Sequence, residues 1–214
     1  MNDMTTIYLV RHGQSYNNAH IDRPYEQGGS SLTEKGMQEA QDLAEDLKKI
    51  HIDYIFSSDL TRAIQTAQII AEAHHIQIQT SQALRERSYG SPLDGGTHPE
   101  AFKKLNEILD TDGIFTEEEK LTYKQNDMME SGEEMMKRFS HFLIPILEKS
   151  EGKTIVCVVH GNIMRTFLAY IEYVKHHEIP VGSVKNTGYV KLIYDGYRFH
   201  VQELSNIRIF KKVL

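Results

Sequence analysis

Along this chain the apolar residues fall into two rhythms, short uninterrupted runs and longer stretches spaced at three and four positions. Residues 7–10 form such a run and break off into Arg11-His12-Gly13, which predicts a buried strand reaching its carboxyl end. After an irregular segment over 16–31, Thr33 reads as the N-cap of a helix from 34 to about 50, with Leu43, Leu47 and Ile50 on one face. A second strand over 54–56 leads into Ser57-Ser58-Asp59. A helix over 61–74 then sets Ile64, Ala67, Ile70 and Ala71 at core spacing. Residues 76–80 alternate as a third strand and feed the loop 84–90. The rhythm fails over 94–134. Pro99 opens a helix carrying Phe102, Leu105 and Leu109, whereas 113–130 is acidic and without clear period. Ser131-Gly132-Glu133-Glu134 is a capping box for a helix with Met135, Phe139, Phe142, Leu143 and Ile146 inward, kinked at Pro145. Residues 154–159 are the most apolar strand and end in His160-Gly161-Asn162, ahead of a helix holding Ile163, Phe167, Leu168 and Ile171. Runs over 189–194 and 197–203 flank Asp195-Gly196, a two-residue hairpin signal.

Strands alternating with helices predict an α/β fold: a three-layer α/β/α sandwich with a mainly parallel sheet and a C-terminal antiparallel hairpin. The 214 residues fit a single domain, 1–214, with a small cap inserted at about 94–134. Composition narrows the class. The hydrophobic content of 40% with 25% charged residues suits a globular chain with a real core. A net charge of −6 speaks against nucleic acid as partner, and a mean hydropathy of −0.46 speaks against a membrane span. The one cysteine, Cys157, lies inside an apolar run, and no leader pattern precedes the first strand, so a reducing, cytoplasmic setting is expected.

The candidate chemistry sits at strand ends. Right-handed crossovers put the carboxyl ends of parallel strands on one edge, where ligands bind in open α/β sheets. That edge collects Arg11 and His12, Arg62 on the first turn of a helix, and His160; Glu86 enters from the loop after the third strand. Two arginines and two histidines make a positive pocket about the size of one phosphate. Guanidinium groups stay charged and grip two oxygens at once, as phosphoryl transfer requires. A neutral His12 attacks phosphorus in line, His160 beside Gly161 and a helix start supplies donors, and Glu86 carries the proton that the leaving alkoxide needs.

These residues occur within stretches that resemble the histidine phosphatase superfamily, also called phosphoglycerate mutase-like. The stretches are Arg11-His12-Gly13, Leu32-Thr33-Glu34-Lys35-Gly36, and the run from Ser58-Asp59-Leu60-Thr61-Arg62 to Ala67. Further on come Leu84-Arg85-Glu86 with Tyr89-Gly90, and Val158-Val159-His160-Gly161-Asn162. The resemblance implies a phosphohistidine at His12, a phosphate pocket of Arg11, Arg62 and His160, Glu86 as proton donor, and Asn18 in the first loop touching phosphate. It implies no metal and no cofactor. Tyr89 and Gly161 join the substrate-contact candidates, Tyr89 with ordinary packing as its alternative.

Within that resemblance the residues favour a phosphatase acting on a small phosphorylated metabolite over a 2,3-bisphosphoglycerate-dependent mutase. Mutases of the family carry paired arginines in the cap, and here no arginine occurs between Arg87 and Arg138. Residues 94–134 hold four lysines against twelve acidic side chains, which disfavours polyanions. Met128, Met129, Met135 and Met136 suit loosely defined substrates or simply pack. A phosphohistidine-protein phosphatase would want a cleft without so long a cap, and a non-catalytic phospho-ligand binder would lack His12 or Glu86. His74-His75, His176-His177 and the run 117–119 read as solvated, Cys157 reads as core, and a homodimer stays open.

Overall fold

The structure is a computed structural model that describes residues 4–19, 29–89 and 99–211. Six strands form one sheet: β1 (Thr5–Arg11), β2 (Tyr54–Ser58), β3 (Ile78–Ser81), β4 (Thr154–Val159), β5 (Val184–Tyr194) and β6 (Phe199–Ile207). Their spatial order is β3-β2-β4-β1-β5-β6. The first four are mutually parallel, and β5 runs antiparallel to both β1 and β6. The expected mainly parallel sheet with a C-terminal antiparallel hairpin is thus present.

The central strands are buried on both faces, which is why they are apolar without interruption. Ile7 and Leu9 of β1, with Ile155, Cys157 and Val159 of β4, face α5 (Gly132–Glu148) and α6 (Gly161–Tyr170). Tyr8, Val10, Val156 and Val158 face α1 (Glu34–Leu47) and α2 (Thr61–His74). Helices on both faces of one sheet give the three layers expected from the alternation. Cys157 lies fully inside, and burial pushes its thiol up to about 12.

Local chemistry sets the helix ends. Thr33 accepts from the Gly36 N–H to start α1, and Ser131 with Glu134 closes the capping box of α5; such caps are worth about 1 kcal/mol each. His75 takes a left-handed conformation at φ 56° to end α2. α1 stops at Leu47 rather than near residue 50, and α5 continues through Pro145 to Glu148. β3 begins two residues later than its alternation suggests and is only partly covered, as befits an edge strand. The hairpin loop spans four residues, 195–198, because Tyr194 pairs with Phe199; the Asp195 carboxylate accepts from the N–H groups of Tyr197 and Arg198.

Two helices lie in the segment that breaks the rhythm, α3 (Pro99–Asp110) and α4 (Glu117–Thr122). The second falls in the stretch without clear period, because its burial is tertiary. Lys120 is 1% exposed, donating to the carbonyls of Leu109 and Thr111 at 3.1 and 2.9 Å. Glu117 is not a solvated side chain. It accepts from the backbone N–H and Nδ1 of His176, itself buried rather than solvent-facing. Burial would push Glu117 up, but those bonds and the charge of Lys120 hold it at about 2. Tyr89, Leu105, Leu109 and Met129 form a small core of their own here. Met135 and Met136 pack in the main core, and of the four methionines over 128–136 Met128 alone is exposed. No helix among the described residues is long and apolar enough to cross a membrane.

Candidate active site

Two imidazoles meet because of strand register. Arg11 pairs with Val159 across β1 and β4, so His12 and His160 each stand one residue past their strand's end. Their ring centroids are 5.0 Å apart at 62°. The chain leaves β1 toward β2 and leaves β4 toward β5. The crevice between those ends is where α/β sheets bind ligands. Gly13 lets the chain turn there, since a Cβ on it would overlap the Gly36 carbonyl at the start of α1.

Arg62, on the first turn of α2, joins the two rings. Its Nε donates to His12 Nε2 at 3.1 Å and its Nη2 reaches His160 Nδ1 at 3.3 Å. On the other side, His12 Nδ1 lies 2.7 Å from the Gly13 carbonyl, which can only accept. The His12 proton is therefore on Nδ1, and the Nε2 lone pair faces the arginines. Burial first, then the charges of Arg62 and Arg11, hold His12 well below the usual imidazole range. His160 is held down likewise by burial and by Arg62, His12, Arg11 and Arg138.

The two guanidinium groups are incompletely matched by protein. Arg11 Nη1 donates to the Val184 carbonyl at 2.6 Å, while Arg11 Nε and Arg62 Nη1 are buried with no hydrogen-bond partner among the described residues. Burial lowers both groups, Arg62 to about 10, and the nearby Glu86 carboxylate partly offsets this. Gly161 opens α6 against Arg11, where a Cβ would lie 3.4 Å from Nε.

Glu86 arrives on the loop after β3 and is held by the start of α6. Its Oε2 accepts from the Asn162 N–H at 3.0 Å, and its Oε1 accepts from those of Ile163 and Arg87 at 3.1 and 2.9 Å. The first-turn donors expected beside an anion are thus engaged by this carboxylate. Arg138 of α5 fixes the loop through the carbonyls of Ala83 and Glu86, and grips Glu130 with two bonds of 2.6 and 2.9 Å.

Two sequence candidates make their hydrogen bonds outside the histidine–arginine cluster. Tyr89 is buried against Phe102 in the small core, and its hydroxyl accepts from the side chain of Asn162, whose N–H holds Glu86. Asn18 is exposed in the first loop, its Oδ1 accepting from the Ser15 hydroxyl at 3.1 Å. Gly90 lies outside the described residues.

The structure adds residues that the sequence reading passed over. Asn186 Nδ2 and the Thr187 N–H both donate to the His12 carbonyl, at 3.1 and 3.4 Å. They lie on a bulged part of β5, where Thr187 has φ 54°, a left-handed conformation that a β-branched residue rarely adopts. Asn-Thr-Gly just before an apolar run is punctuation that could have signalled this bulge. Ser58 and Arg165 were also missed. Arg165, buried in the apolar face of α6, donates to the Ile179 carbonyl, to Asn106 and Asn162, and to Asp110, tying α3 to the helix that holds Glu86. An arginine amid Ile163, Met164, Phe167 and Leu168 was the available clue.

Four side chains from β1, α2 and β4, with a carboxylate nearby, thus surround an imidazole nitrogen and two unpartnered cationic donors. The family model of the histidine phosphatase superfamily (branch 1) matches residues 7–207, and the chain belongs to that superfamily. Phosphoglycerate mutase-like protein 4 of Arabidopsis thaliana is 31% identical over 221 residues, covering 96% of this chain and 86% of its own. The 2,3-bisphosphoglycerate-dependent phosphoglycerate mutase of Thermoplasma acidophilum is 30% identical, covering 86% and 84%. Among solved structures, Bacillus stearothermophilus YhfR superposes with a TM-score of 0.70 at 28% identity, over 92% of this chain and 95% of that one. A phosphoserine phosphatase from Entamoeba histolytica gives 0.69 at 26%, over 94% and 97%. The chain is accordingly an enzyme of the phosphatase or mutase type.

Proposed function

We propose that this protein is a phosphomonoesterase that hydrolyses small phosphorylated metabolites through a phosphohistidine on His12. The observation that carries the reading is the pair of buried guanidinium N–H groups without a partner among the described residues, Arg11 Nε and Arg62 Nη1, in the cluster that turns the His12 Nε2 lone pair toward Arg62. A buried cationic donor left unpaired is costly, and a phosphoryl oxygen would satisfy it.

In this reading the arginines and His160 hold the phosphoryl oxygens while Nε2 attacks phosphorus. The ester P–O bond breaks, and the leaving oxygen takes a proton from the Glu86 carboxyl. Water then attacks the phosphohistidine and gives its proton to Glu86. The P–N bond breaks and the pair returns to Nε2. Stabilisation of spread oxygen charge by fixed donors is the main contribution such a site makes. Residues 1–214 act as one catalytic domain with 94–134 as cap, in a reducing cytoplasm.

The cap supports hydrolysis over phosphoryl return. Lys120 is spent on carbonyls, Lys124 pairs with Glu134 at 3.0 Å, and Lys103 pairs with Glu107 at 3.9 Å. Arg87 donates to the carbonyls of Glu130 and Tyr123. Among the described residues most of the cationic side chains there are thus engaged, Lys104 excepted, which leaves less for a second phosphate. The names of the relatives keep a mutase as the alternative. Turnover of p-nitrophenyl phosphate in EDTA, its loss in His12→Ala, and an acid-labile phosphoenzyme are the expected results. Conversion of 3-phosphoglycerate to its isomer, dependent on 2,3-bisphosphoglycerate and faster than hydrolysis, would overturn the phosphatase assignment.

A further inference from the structure

His160 turns the wrong polarity toward an anion. A guanidinium has no lone pair, so the 3.3 Å contact from Arg62 Nη2 makes His160 Nδ1 the acceptor. The neutral ring then carries its one proton on Nε2, which donates to Ser58 Oγ at 2.9 Å. Ser58 is fully buried at the end of β2, and its oxygen is fixed further by the Leu60 N–H at 3.3 Å. The ring nitrogen on the arginine side is thus a lone pair, unable to hydrogen-bond a phosphoryl oxygen.

We propose that Arg62 and Ser58 together hold His160 in its Nε2–H tautomer, Arg62 by donating to Nδ1 and Ser58, a positioning residue, by accepting from Nε2, so that the ring grips an oxyanion only by taking up a second proton, at Nδ1. The inference rests on the phosphoryl reading above and adds a proton, drawn from solvent, to its binding step. The groups that bear on the ring come from every neighbouring element: Arg62 from α2, Arg11 and His12 from β1, Arg138 from α5, and Ser58 from β2. Glu86, on the loop after β3, offsets the two arginines. Without an anion the cationic neighbours keep the ring neutral. A tetrahedral dianion placed among them reverses the local sign and favours the imidazolium. Affinity and proton uptake are then linked: where the free ring is neutral and the bound ring charged, each pH unit upward weakens binding about tenfold.

Tungstate at micromolar concentration is a suitable probe, because dilute, neutral solutions hold it as a tetrahedral dianion that takes up no proton of its own. Nitrogen NMR of protein labelled in its histidines reads both ring nitrogens directly. The expected result is an Nε2–H tautomer at His160 in the free protein and protonation of both nitrogens at saturating tungstate, with a dissociation constant rising about tenfold per pH unit. Ser58→Ala leaves the Nε2–H without its acceptor and should weaken tungstate binding about tenfold, Ser58→Thr should restore it, and unchanged binding in Ser58→Ala overturns the role of Ser58. Should the variants not fold, the wild-type spectra still decide the tautomer and the proton uptake. A His160 that binds tungstate while neutral, in either tautomer, or that already carries Nδ1–H when free, overturns the inference and leaves the phosphoryl reading standing. Failure of the wild type to bind either tungstate or phosphate overturns that reading itself.

Discussion

Replacing Arg62 with methionine is expected to leave stability nearly unchanged while removing activity. Arg62 is a nearly buried cation, 6% exposed, beside the like-charged Arg11. Its guanidinium is lowered from 12.5 to about 10, burial being the largest cause, which penalises the charged form by roughly 3 kcal/mol. Against that stand two hydrogen bonds to imidazole nitrogens at 3.1 and 3.3 Å. Each has a charged donor and is worth about 1.5 kcal/mol net. Methionine fills much of the same volume without charge, so the two sides nearly cancel and the folded state should stay within about 1 kcal/mol of wild type, or roughly 2–4 °C in Tm for a chain of this length. Catalysis changes far more. Losing two charge-assisted bonds to the transition state at about 2 kcal/mol each lowers kcat/KM by ~10³-fold. Thermal denaturation followed by circular dichroism and p-nitrophenyl phosphate kinetics read both effects. A Tm shifted beyond that range, or activity within tenfold of wild type, would refute the reasoning.

Acid should weaken the fold through the same cluster. His12 and His160 are depressed when folded and ordinary when unfolded, so stability is complete above about pH 6.5 and declines as pH falls below it, by up to ~1.4 kcal/mol per pH unit for each ring. Urea midpoints at pH 7.5, 6.5 and 5.5 measure this, and a midpoint unchanged down to pH 5.5 contradicts it. Asn186→Ala removes a donor from the His12 carbonyl and should cut kcat about tenfold with KM nearly constant, since ~1.4 kcal/mol of orientation is lost; equal loss in KM would point to binding instead. Asp110→Asn leaves buried Arg165 without its anionic partner and should cost about 3 kcal/mol. The double variant with Arg165→Met should recover much of that, and simple addition of the two single losses in urea denaturation would contradict the pairing.

The residues that converge were readable because they sit where local pattern and topology agree. Arg11, His12 and His160 each follow a run buried on both faces, and Arg62 opens an amphipathic helix, so strand ends alone brought them together. The residues that were missed, or assigned elsewhere, owe their roles to long-range pairing. Asn186 and Thr187 matter because β5 lies beside β1, which no local period encodes. Lys120 and His176 look like surface residues and are buried, and Glu117 is half-buried, because each finds a partner from another element. Tyr89 carried two readings, substrate contact or packing; its contact with Phe102 and the bond from Asn162 to its hydroxyl are long-range and no spacing argument could foresee them.

The 5.0 Å between the two imidazoles is close to the ~4.8 Å that backbone hydrogen bonding sets between neighbouring strands. The gauge of the site is therefore a property of the peptide ladder rather than of any side chain. Substituting core residues beneath it leaves that gauge untouched. Adding or deleting one residue in β1 or β4 would rotate one ring to the opposite layer of the sandwich. Such a chain could keep its whole hydrophobic interior and still own no reaction centre.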